Sequence, residues 1–150
     1  MSAAQKFSLF HSIRVSSPEV DSINFLTVQR TDTQNISAKA EVGFLLRHDA
    51  EKHAALALLT SHSIPAFIVP YRYGLLPCIK LNNPAQLEEA MDALQLGHDK
   101  ERATAAFQEA KNIAAQWNAL DAVECEEMYD RWRVTGKECV RPAAGQSMAL

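Results

Sequence analysis

The chain has 150 residues, a net charge of −3, 47% hydrophobic and 22% charged residues, a balance that suits one domain with its own core. The missing basic excess counts against a free-standing nucleic-acid binder, because phosphate neutralisation supplies most of such affinity. No apolar run approaches the roughly 18 residues that span a bilayer, Met1 to Lys6 lack the apolar stretch of a signal peptide, and Cys78, Cys125 and Cys139 have no disulfide-framework or CxxC spacing, so a cytoplasmic, membrane-free protein with reduced thiols is expected.

Phe7, Leu9, His11, Ile13 and Val15 alternate with Ser8, Phe10, Ser12, Arg14 and Ser16, which predicts a first strand with one buried face. Ser17-Pro18 breaks it. Ile23, Phe25 and Thr27 alternate with Asn24, Leu26 and Val28, predicting a second strand near 22–30. Thr31 to Asn35 is polar and turn-rich. Ile36, Ala38, Ala40, Val42, Phe44 and Leu46 give the clearest two-residue period, a third strand over 36–47. The short connections predict an antiparallel meander.

Asp49 is an expected N-cap for a helix over 50–62, with Ala55, Leu56, Leu58 and Leu59 on its apolar face. Ile64-Pro65 ends it. Ala66 to Val69 is wholly apolar and is expected as a central strand. A right-handed crossover is expected to make it the parallel neighbour of 36–47. Pro70 to Gly74 forms a turn, and Cys78 to Leu81 the return strand. Asn83-Pro84-Ala85-Gln86 opens a helix with a cap and a first-position proline. Leu87, Ala90, Met91 and Leu94 line its face, and Gly97 is the expected stop. Asp99 opens a long helix whose stripe is Ala103, Ala106, Phe107, Ala110, Ile113, Ala114 and Trp117. A last helix, 122–134, carries Ala122, Cys125, Met128, Tyr129 and Trp132 on one side and ends at Gly136.

The expected fold is therefore α+β: an N-terminal antiparallel meander plus a half-ferredoxin-like βαββα unit, in the order βββαββα, followed by two C-terminal helices. One domain is expected over 1–136, with a sheet-containing part at 1–97 and a helical part at 98–136. Residues 137–150 have no periodicity and are expected as a flexible tail.

Within this pattern, Leu58-Leu59-Thr60-Ser61-His62-Ser63-Ile64-Pro65-Ala66-Phe67 runs from helix into strand, then into a hairpin and an alanine-containing helix. Over residues 50–94, about a third of the chain, this resembles the small βαββα signal-transducing domains related to PII proteins. The resemblance implies that fold and a regulatory binding role. It carries over no catalytic residue.

Chemistry-bearing residues are scattered. Gly43, Gly74, Gly97, Gly136 and Gly145 build neither GxGxxG nor GxxxxGK[ST], so no sequence-readable phosphate cradle is present. Gly43 inside a strand marks a bulge or a close contact. His11, His48, His53, His62 and His98 show no metal-ligand spacing. Neither a metal nor any other cofactor is expected. Cys78 is the best-placed thiol for a dispersed enzymatic site, but a nucleophile needs a neighbour that lowers its pKa. The ordinary reading is a small buried hydrophobe. Asp121, Glu124, Glu126, Glu127 and Asp130 read first as a solvated helix face helped by the dipole. Their functional readings are cation binding, acid–base work or recruitment of a basic partner.

Two aromatic–basic clusters remain as binding candidates. Tyr71-Arg72-Tyr73, at a hairpin tip, combines types enriched at interface hot spots and suited to base stacking. The ordinary alternative is that the rings fold over the sheet edge. Arg131-Trp132-Arg133 is similar, with Trp132 on the apolar stripe and therefore a packing residue first. The expected function is a non-catalytic interaction protein that binds a protein partner: a regulator, inhibitor or accessory factor of a bacterium or mobile element. The alternatives are a nucleic-acid-binding accessory protein and an enzyme using Cys78. The alanine-rich helix 100–118 also predicts a homodimer through the C-terminal helices.

Overall fold

A computed structural model describes residues 4–31, 35–70, 76–136 and 138–141. The α+β expectation holds: among the described residues there are strands in antiparallel sheets and four α-helices. The strands are β1 (Gln5–Phe7), β2 (Ser12–Arg14), β3 (Val20–Arg30), β4 (Ile36–Leu46), β5 (Ala66–Ile68), β6 (Cys78–Leu81) and β7 (Cys139–Arg141). The helices are α1 (Lys52–Ser61), α2 (Leu87–Ala93), α3 (Lys100–Asn118) and α4 (Ala122–Thr135). None of these helices is long and apolar enough to cross a membrane.

The main sheet has the order β2-β3-β4-β6-β5, and β1 pairs with β7 in a second, two-stranded sheet. The single strand expected from Phe7 to Val15 is therefore split. Its first part pairs with β7 and its second with β3. Between them the indole Nε1 of Trp117 donates to the Ser8 carbonyl at 3.1 Å, so this backbone is held by a helix instead of a ladder. β7 itself lies where a flexible tail is expected to begin, so the ordered chain extends at least to Arg141.

β4 follows its sequence period: Ala38, Val42, Phe44 and Leu46 are buried. β3 does not. Between the pairs Asn24↔Gly43 and Leu26↔Ala40, Phe25 alone opposes Glu41 and Val42. This bulge shifts the phase of the strand. Leu26 and Val28 turn into the core, while Thr27 goes to the opposite face and donates to Glu41 Oε2 at 3.0 Å. The Asn24 amide steadies the bulge by donating to the Leu26 carbonyl at 3.0 Å.

Two expectations for β5 are corrected. It is an edge strand, and β6 lies between it and β4. β5 and β4 are both antiparallel to β6, hence parallel to each other but not neighbours. The burial explains this arrangement: all four residues of β6 are buried, Lys80 included, whereas Phe67 in β5 is exposed.

The helices cover the apolar face. Phe25 meets Phe107 of α3 with ring centroids 6.2 Å apart, and Phe7 meets Trp117 edge-on at 5.1 Å. Leu59 of α1 and Met91 of α2 are fully buried in the same cluster. Asn83 caps as expected, accepting from Ala85 N at 3.0 Å. α2 stops earlier than expected, through Gln95 at φ 59° instead of Gly97. Leu96 N–H then reaches back to the Met91 carbonyl at 2.7 Å, closing a Schellman turn.

Candidate functional site

Arg131, Trp132 and Arg133 occupy the last turns of α4 and diverge. Trp132 is half-buried and packs edge-on against Phe10, with centroids 5.5 Å apart and planes at 79°. Phe10 follows the first strand and is 54% exposed. Arg131 and Arg133 are exposed and reach back along their own helix to Glu127 (2.9 Å) and Asp130 (3.6 Å). Exposed pairs of this kind contribute little and can be exchanged for a partner's carboxylates at small cost. An aromatic pair flanked by two arginines is thus open to contact. The contribution of Phe10 escaped the sequence reading, which placed it on the polar side of a strand.

Tyr71, Arg72 and Tyr73 lie outside the described residues.

The surroundings of Cys78 count against a nucleophile. The thiol is 1% exposed, and burial, opposed in part by Lys80 and aided by Glu41, pushes its pKa up to about 12. The thiolate is the nucleophilic form, and burial here disfavours it. Its packing explains Gly43 as well: a Cβ on residue 43 would stand 2.9 Å from Cys78 Sγ. The glycine permits the approach of the thiol. Burial likewise pushes up the thiols of Cys125 and Cys139.

The acidic run of α4 is bound up within the chain. Asp121 caps the helix by accepting from Glu124 N at 2.8 Å. Glu124 meets Arg141 of β7 at 2.6 Å, and Glu126 meets Arg30 of β3, whose guanidinium also lies over the Tyr129 ring. These pairs fasten α4 to two sheets, so the run is structural in the first instance. Among the described residues no three His, Cys, Asp or Glu side chains converge on a metal-sized site.

On the sheet face opposite the apolar one, Lys80 and Lys39 both reach Glu41, at 2.7 and 3.7 Å, and Arg14 lies 3.9 Å from Asp21. α3 buries its apolar stripe against the sheet, and its outward residues include Glu101, Arg102, Thr104, Gln108 and Lys111.

No family model, curated protein or solved structure matches this chain.

Proposed function

We propose that the protein is a non-catalytic regulator, inhibitor or accessory factor that binds a protein partner through the surface where Phe10 meets Trp132. The carrying observation is the exposed Phe10 ring, packed edge-on against a half-buried tryptophan whose neighbours on α4 are Arg131 and Arg133. Large rigid aromatics beside arginine supply most of the energy in many protein interfaces. The regulatory role implied by the βαββα resemblance is in keeping with this reading.

The test is capture of a partner by the full chain, with crosslinks mapped to residues 131–133. Phe10→Ala removes an exposed ring and is expected to fold normally. It is expected to weaken the captured complex about tenfold or more, while Thr104→Ala leaves it unchanged. Equal affinity for both variants, or no saturable partner, overturns the proposal. Self-association is a narrower form of the same reading. It would use α4, where Val123 and Val134 are 77% and 86% exposed. A monomer mass by light scattering at all concentrations rejects that form.

A further inference from the structure

The main sheet ends in two edge strands, β2 and β5, and they meet solvent differently. β2 carries Arg14, whose side chain is 85% exposed. A charge on an edge discourages the approach of another strand. β5 has no such guard. Residues 63–70 hold no charged side chain, and Phe67 is 46% exposed.

The backbone of β5 fixes what its free edge offers. Val69 N donates to the Cys78 carbonyl at 2.9 Å, and Asn82 N to the Pro65 carbonyl at 3.0 Å. With Phe67 opposite Lys80, residues 65, 67 and 69 therefore face β6. Ala66 and Ile68 turn their N–H and C=O groups the other way. Neither residue's backbone meets a partner among the described residues. Pro70, without an N–H, ends the row of donors.

We infer that a second copy of this chain pairs with β5, antiparallel, about a two-fold axis at Phe67, so that two five-stranded sheets become one continuous sheet. The edge is complementary to itself. Ala66 of each copy exchanges N–H···O bonds with Ile68 of the other, so every outward donor finds an acceptor. Phe67 then stands at a position without hydrogen bonds, opposite its own copy, where paired side chains approach most closely. Both rings lie on the Lys80 face of the joined sheet, and α1 of each copy, which packs on β5, lies on the other. α1 is apolar on all sides, with Ala54, Ala57 and Leu58 exposed and only Leu59 buried. Such a composition ordinarily goes with a covered helix. Pairing of β5 with β2 would instead propagate into fibres, and Arg14 opposes it. The dimer is therefore closed. A seam this short falls below the roughly 1,200 Å² of a standard interface, so the dissociation constant should be on the order of 100 μM. This surface is separate from Phe10–Trp132 and from α4, and does not depend on the function proposed there.

Sedimentation equilibrium of the full chain is expected to show a reversible monomer–dimer equilibrium. Amide hydrogen exchange at low and high concentration locates the seam. Ala66 and Ile68 should slow several-fold as the dimer fills, whereas Phe67, bonded to β6 in either state, should not change. Phe67→Glu places like charges face to face on the axis, and Ala66→Pro removes an outward donor that the monomer does not use. Each is expected to weaken the dimer about tenfold or more while circular dichroism stays native. Val134→Lys, on α4, should leave it unchanged. The inference fails if the chain stays monomeric up to about 1 mM, if the dimer survives both β5 variants, or if Val134→Lys abolishes it. Protection of Ala66 and Ile68 that appears only with an added extended peptide also overturns it, and gives the edge to a foreign strand.

Discussion

The Lys80 side chain is 10% exposed, with its Nζ 2.7 Å from Glu41 and 3.4 Å from Thr27 Oγ1. Burial by itself raises the pKa of Glu41. The Lys80 ammonium, the Thr27 hydroxyl and Lys39 outweigh that and hold the carboxyl below its ordinary value. A carboxylate whose folded pKa is lowered adds stability above its unfolded value, about 4.3, and that stability is lost as pH falls through the folded value. Glu41→Gln is thus expected to destabilise by roughly 3 kcal/mol at pH 7, since it strips a buried ammonium of its carboxylate. The gap to wild type should begin to narrow as pH falls below about 4.3, where the unfolded chain takes up the proton, and close as pH passes through the lowered folded value. Urea unfolding at pH 7 and near pH 3 separates this from packing, because a packing effect would be equal at both. None of this network was legible in advance. Lys80 sits in an apolar string, Cys78-Ile79-Lys80-Leu81, and its acceptors lie on two other strands.

Elements that bury one complete face were readable from sequence, because a single period runs their whole length. β4, α3 and α4 start and stop close to where Ile36 to Leu46, Ala103 to Trp117 and Cys125 to Trp132 place them. β3 was misread in its second half because a bulge changes phase without changing composition: Phe25 and Leu26 both face the core. β5 was misplaced because an apolar run reports a dry environment and not the identity of the neighbouring strand. β4 also outruns its partner. β6 pairs with it over Gly43 to Leu45, so the backbone of Ala38 lies beyond the reach of that ladder. Asn118 of α3 fills the gap, its Oδ1 accepting from Ala38 N at 3.2 Å and its Nδ2 donating to Ala38 O at 2.9 Å. The side-chain amide imitates a strand. Asn118→Ala is expected to cost about 1 kcal/mol, and amide hydrogen exchange at Ala38 should quicken. An unchanged midpoint together with unchanged exchange would show that water serves equally well.

At the scale of the whole molecule, contacts distant in sequence escaped the reading. Phe10 and Trp132, far apart in sequence, meet edge-on, and a cleft gathers side chains from β3, β4, α1 and the end of α2. No local pattern encodes such meetings. The same holds for the pairing of β1 with β7. β7 lies against β1 with Phe7 opposite Cys139, and Cys139 is buried beside the Met128 carbonyl. Phe7 is fully buried and packs on Trp117, so β7 helps to seal the end of the core that α3 and α4 share. Truncation after Gly136 removes this strand and takes Arg141 from Glu124. The loss should be on the order of 2–3 kcal/mol, the value of re-exposing one large apolar side chain. Truncation after Arg141 keeps the strand and serves as the reference. Denaturant unfolding of the two shortened chains is expected to show the longer one more stable by that margin. Trp117 fluorescence should red-shift in the shorter one as its ring loses cover. Equal midpoints would mean that β1 and α3 close the core unaided, leaving β7 as a surface ornament of the fold.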